Sequence, residues 1–284
     1  MSAYRFCRTD DIGLLVDAVN RCWAPYFPDE PIMTPAAFKR SIRDLQVWCS
    51  SCMVAFDGSD PIGVLIGAKR PSGTLIQKIA VHPDHLRQGH GRHLLASLGS
   101  KLAILGPPRI VAEVPVTLAP ACGLLSAGGY VQEALLTDHV LQSVDIDASM
   151  VAGGRLVIPL TVDDLAANGL LESAAPVCWE RSLETLNARK GEIEGLAVAS
   201  EEQIEAYMLY VRHEAEAQIV SMRSLIEDGG LRSKRLLSQL CAQGLKTFRL
   251  PRVHPEEMSE GSLKALDFRP TLAYRRFAAT ARSN

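Results

Sequence analysis

The stretch "KIAVHPDHLRQGHGRHLLASL", Lys78–Leu98, constrains this chain more than any other. A strand-like apolar run ends at Pro83, a leucine-rich helical pattern runs from Gly91 to Leu105, and two glycines, Gly89 and Gly91, stand at the junction. The first turn of a helix entered this way offers unpaired N–H groups and a positive dipole end, and glycine keeps side chains from shielding them. A phosphate group suits such a turn. Arg87, Gln88, His90 and Arg92 are placed to supply donors around its rim. The spacing is neither a G-x-x-x-x-G-K-[ST] loop nor a dinucleotide fingerprint, whose third glycine is replaced by Leu94.

Hydrophobic periodicity on either side predicts the order βααβββαβαβ. "AYRFCR" reads as a strand, and Asp10-Asp11 caps the amphipathic helix "IGLLVDAVNRCW", with Ile12, Leu15, Val16 and Val19 on one face. Thr34-Pro35 opens a second helix. Two strands joined by Asp57–Asp60 follow, then the strand that leads into the glycine turn, the helix, the strand "PRIVAEVPV", a short helix at Ala119–Ala127 and the strand "ALLTDHVLQ". That order is α/β with a mixed, mostly antiparallel sheet flanked by helices. After the linker-like "DIDASMVAGGR", residues 145–155, the same order repeats, and "KRLLSQL" echoes "RHLLASL". Two tandem domains, 1–147 and 148–284, are expected.

Composition narrows the partners. The 284 residues carry a formal net charge of -2, which argues against nucleic acid or an anionic membrane as a partner. No apolar run reaches the length of a membrane span, the opening residues lack the apolar core of a signal peptide, and cytoplasm is the expected location. Seven scattered cysteines do not form a secreted disulfide framework. "WCSSC", Trp48–Cys52, has a C-x-x-C, but a helical pattern precedes it and a strand follows, the reverse of a redox motif, and no second pair completes a metal site. No metal is expected.

The segment Val81-His82-Pro83, the run Leu86-Arg87-Gln88-Gly89-His90-Gly91 and the later Gly129-Tyr130 together resemble the GNAT N-acetyltransferase superfamily over about the first 140 residues. The resemblance implies that the glycine turn holds the pyrophosphate of acetyl-CoA or another acyl-CoA. It implies that the backbone of Ile79, Ala80 and Val81 lies along pantetheine and polarises the acyl carbonyl through an N–H group. It also makes "CWAPYFPDEPIM" the substrate wall, with Trp23, Tyr26 and Phe27 as apolar faces and Asp29 and Glu30 as attractors for a cationic amine. Two positions depart from the family pattern. Leu86 replaces its Arg or Gln, and Leu125 replaces the tyrosine that protonates the leaving thiolate.

Acetyl transfer to an amine needs a base, because an alkyl ammonium near pKa 10 is almost wholly protonated at neutral pH. Glu113 is the candidate, a carboxylate on an otherwise apolar strand sharing a face with Val111. His82 and His85 flank Pro83 with suitable chemistry. Cys122, on the helical face of Leu125, is placed to approach the sulfur. In the second half the glycines align with Leu231 and Ser233, so that half is expected not to bind CoA conventionally. The expected activity is direct acyl transfer to an amine of a small molecule or peptide. A noncatalytic acyl-CoA-binding protein, or an acyltransferase acting on a thiol carrier, is the alternative.

Overall fold

The computed structural model describes residues 2–142, 156–172 and 175–281. The linker expected at 145–155 lies outside them. The chain forms two units, Met1–Ala134 with Arg275–Asn284, and Leu135–Tyr274.

The first unit runs β1 (Ser2–Phe6), α1 (Ile12–Trp23), α2 (Pro35–Leu45), β2 (Met53–Asp57), β3 (Asp60–Arg70), β4 (Gly73–Val81), α3 (His90–Leu105), β5 (Arg109–Pro115), α4 (Ala119–Ala127) and the start of β6 (Val131–Gln142). Strands β1 to β4 pair antiparallel in sequence order, and β5 pairs parallel to β4. The far edge of β5 is taken by the last strand of the chain, β12 (Arg269–Thr280), whose final residues belong to this unit. Local chemistry sets the helix starts. Thr34 accepts a hydrogen bond from the Ala37 amide at 3.1 Å, with Pro35 in the first turn where its missing N–H costs nothing. Asp11 stands at the start of α1, but its carboxylate turns back to Arg5 and to the Arg8 amide and does not cap the helix.

Four leucines of α3, Leu94, Leu95, Leu98 and Leu102, enter a core with Ile76, Ile110, Ala112 and Val114 from the sheet and Leu125 from α4. Each such side chain contributes about 1.5–3 kcal/mol by leaving water. The burial holds α3 across the strands, and with it the glycine turn at the end of β4.

The second unit repeats the plan with the end of β6, then β7 (Leu156–Pro159), α5 (Val162–Ala167), α6 (Leu183–Ala188), β8 (Glu194–Ala199), β9 (Ile204–His213), β10 (Glu216–Ser224), α7 (Leu231–Ala242), β11 (Thr247–Val253), α8 (Glu260–Ala265) and the start of β12. Helix α5 opens on a capping box in which Thr161 and Asp164 satisfy each other's amides. Leu236, Leu237 and Leu240 of α7 play the part that Leu94, Leu95 and Leu98 play in α3.

Candidate functional site

In the first unit β4 and β5 pair only from Thr74↔Ile110 to Ile76↔Ala112 and then separate, although β4 continues to Val81 and β5 to Pro115. A bulge at Gln77, where Ile66 opposes Lys78 and Gly67 opposes Ile76, marks the point of divergence. The His82 amide donates to Ile62 in β3, so by the alternation of strand hydrogen bonds the amides of Val81 and Ile79 face away from β3, toward the gap. The expected carbonyl-polarising segment Ile79–Val81 therefore lines an opening in the sheet.

At the end of that gap Gly89 begins α3 with φ +88, a left-handed conformation that glycine adopts without strain, and no side chain caps the helix start. A Cβ on Gly89 would meet nothing within 4 Å. Gly91 also lies close to α4. A Cβ there would lie 2.9 Å from the end of the Leu124 side chain of α4, so any larger residue would require that side chain to shift. Arg87 is left-handed without being glycine, at φ +64, a strain on the order of 1 kcal/mol placed at the turn. Arg87, Gln88 and Arg92 are exposed as expected of rim donors. His90 is not at the rim. It is 4% exposed, its Nδ1 lies 2.7 Å from the Tyr4 hydroxyl, and Tyr4 also stacks on His93. The reason is helical spacing: His90, Leu94 and Leu98 share the buried face of α3.

On the opposite face of the sheet the α1–α2 loop is pinned rather than open. Trp23 and Phe27 stack with centroids 4.4 Å apart, and the Lys78 ammonium sits 3.8 Å above the Trp23 ring. Glu30 accepts from Trp23 Nε1 at 3.0 Å and from Lys78 at 3.2 Å, so its charge is already balanced and it is not the amine attractor expected. The Tyr26 hydroxyl donates to the Val81 carbonyl at 2.6 Å and ties the loop to the end of β4. Lys78 escaped the sequence reading, and its one signal was a lysine inside the apolar run "LIQKIAV".

Glu113 is half-buried, and because Ile110, Ala112 and Val114 point into the core beneath α3, it faces the other side of the sheet, the side of α1 and α2. Leu125 is fully buried and Cys122 is 5% exposed within the same core, its sulfur directed at the Pro115 carbonyl at 3.9 Å. Both side chains are packed in this core. Cys49 and Cys52 sit in a 3-10 turn, not at a helix start, and burial pushes the Cys52 thiol far above its ordinary value, which suppresses the reactive thiolate. Among the described residues no cluster of His, Cys, Asp or Glu is arranged to hold a metal.

The second unit has the same frame with different contents. Strands β10 and β11 pair from Glu216↔Thr247 to Gln218↔Arg249 and then part, with a bulge at Val220. Into this gap reaches Arg181, 3% exposed, which donates to the Val220 carbonyl at 3.2 Å, to the Pro251 carbonyl at 3.1 Å and to Glu257. Helix α7 also starts on a left-handed glycine, Gly230 at φ +87, one residue before the position that aligning the leucines assigns to it. Its amides are taken. The Asp228 carboxylate accepts from Gly230 N and Arg232 N at 3.0 Å each, and the Arg232 guanidinium is held by Asp228 and Glu205. The sequence shows Gly229-Gly230 after Asp228, but the match of "KRLLSQL" to "RHLLASL" placed the turn on Leu231 and Ser233.

Residues 15–129 match the acetyltransferase (GNAT) family. No curated protein matches the sequence. Among solved structures, a tandem GNAT protein from the clavulanic acid biosynthesis pathway aligns over 100% of both chains with a TM-score of 0.67 at 17% identity. A GCN5-related N-acetyltransferase from Sphaerobacter thermophilus aligns over 99% of this chain and 96% of its own, also at 0.67, with 11% identity. At such identities the likeness is one of fold, and it extends through both units.

Proposed function

We propose that the first unit, whose residues 15–129 match the acetyltransferase (GNAT) family in a chain with the fold of tandem GNAT structures, binds acetyl-CoA or another acyl-CoA and transfers the acyl group directly to an amine. The observation that carries this reading is a pair of features, a gap between β4 and β5 lined by strand amides that face away from β3 and a helix start without a side-chain cap. The bound thioester supplies an electrophilic carbonyl, and the rest follows from this chain's residues. The α3 amides behind Gly89, with Arg87, Gln88 and Arg92, hold the pyrophosphate. The Ile79 amide, facing the gap, polarises the acyl carbonyl, and the adjoining Ala80 and Val81 backbone aligns the pantetheine arm. Glu113, on the opposite face, takes a proton from the incoming ammonium, and Trp23, Tyr26 and Phe27 wall the acceptor. Holding both reactants in line is the main source of rate.

The acceptor is an amine of a small molecule or peptide. No helix of the described residues is long and apolar enough to cross a membrane, and all seven cysteines are free thiols, which suits the reducing cytoplasm. Leu125, buried and unable to give a proton to the thiolate, favours a second reading in which the protein binds acyl-CoA without turnover.

Calorimetry with acetyl-CoA on the intact protein and on Gly89→Glu tests the proposal. The carboxylate of the variant would occupy the helix-start amides. We expect binding by the parent chain and its loss in the variant, with circular dichroism unchanged. No binding by the parent chain would sink the reading, and binding without turnover on a panel of amines would leave the noncatalytic alternative.

A further inference from the structure

The edge of β4 that faces the gap carries the N–H and C=O groups of Ile79 and Val81. These residues lie opposite Leu65 and Gly63 of β3, and the bond from the His82 amide to the Ile62 carbonyl at 2.8 Å fixes His82 as turned toward β3 and Val81 as turned away. An extended ligand arm with secondary amides would add to such an edge as a strand does, using carbonyls as well as amides. One of these carbonyls is already taken by a side chain. The Tyr26 hydroxyl donates to Val81 O at 2.6 Å.

The form of this contact makes it exchangeable. Tyr26 is 38% exposed, and among the described residues its hydroxyl makes this hydrogen bond and no other. The other ties of the α1–α2 loop, the stacking of Trp23 on Phe27 and the bonds of Glu30 to Trp23 and Lys78, do not involve the Tyr26 side chain and survive its release. Partial burial holds the hydroxyl above its ordinary pKa, so it is protonated and a donor at neutral pH. The second unit shows the fixed form of the same arrangement. There Arg181, 3% exposed, donates to two carbonyls of the parted strands and pairs with Glu257. A sealed guanidinium on two carbonyls stays in place, whereas one exposed hydroxyl on one carbonyl can be exchanged for another donor.

We propose that Tyr26 is a self-contact that competes with the ligand: its hydroxyl holds the Val81 carbonyl until an arm bringing its own amide N–H takes that carbonyl and frees the tyrosine. The inference rests on the reading that the first unit binds acyl-CoA, whose arm is amide-bearing. It goes further by assigning to this chain a contact that opposes binding and sets its strength.

Tyr26→Phe keeps the ring and removes the hydroxyl, and at this exposed position the fold is retained. Calorimetry on the intact chain would compare CoA, which carries the arm, with ADP, which carries a pyrophosphate without it. Removing one neutral hydrogen bond from the competition is expected to tighten CoA binding about three- to ten-fold and to leave ADP unchanged. If the parent chain binds CoA and Tyr26→Phe binds it equally or more weakly, Tyr26 is a wall or a ligand contact, and the proposal is overturned while the acyl-CoA reading stands. Equal tightening of CoA and ADP would move the effect away from Val81 and overturn it as well. Binding of CoA by Tyr26→Phe alone would support the proposal in its strongest form, with the contact keeping the parent chain shut. If neither chain binds CoA, the proposal and the acyl-CoA reading fall together.

Discussion

The two units share a frame and differ in what fills it. Each has a bulged strand, a parallel neighbour that parts from it after three paired residues, and a helix that starts on a left-handed glycine. In the first, the helix start has no side-chain cap and the gap is lined by strand amides facing away from β3. In the second, Asp228 supplies the anion for the helix start and Arg181 bridges the carbonyls of the parted strands. The chain thus provides its own substitutes for the charges and hydrogen bonds that a ligand would bring. The lesson is physical: the apolar core preserves the frame, and a handful of polar side chains decide whether the helix start and the parted strands find their partners within the chain.

That contrast can be tested. The largest effect is expected at Glu113, where Gln keeps the shape and removes the base; kcat with the best amine should fall by about 10²–10⁴ with acyl-CoA affinity unchanged. A variant that kept full activity would move proton removal elsewhere. Next comes Arg181→Met in the second unit. Its guanidinium is nearly sealed from solvent beside Glu257, and leaving that carboxylate and two carbonyls unpaired should cost about 3–5 kcal/mol, read from the urea midpoint by circular dichroism. Acyl-CoA binding should be untouched. An unchanged midpoint would mean that Arg181 fills the gap without holding it closed. The smallest effect is Asp228→Asn, which retains an acceptor for one of the two α7 amides but turns its NH2 toward the other and loses the ion pair to Arg232; a loss of about 1–2 kcal/mol is expected. Acquisition of CoA binding by the second unit in this variant would show that one carboxylate separates the two units.

Much of the plan was legible in the sequence because it is local. The glycine turn, the Thr34-Pro35 start, the leucine spacing of α3 and the repeated element order all rest on interactions within a few residues. The face of Glu113 followed from strand alternation, which needs only its neighbours. Other readings failed where a distant partner intervened. Glu30 was read as an attractor for a cationic amine, yet Lys78, forty-eight positions away in sequence, already pairs with it. His90 was read as a rim donor, yet Tyr4, eighty-six positions away, holds it inward.

By itself the sequence determined the two-fold repetition, the α/β class and the position of the glycine turn, since periodicity, caps and glycine conformations are encoded within a few residues. Only the tertiary structure decided that the end of the last strand completes the first unit and that Arg181 bridges the parted strands of the second unit. Those outcomes depend on which groups long-range burial brings within hydrogen-bond or van der Waals reach, and no local pattern carries that distance.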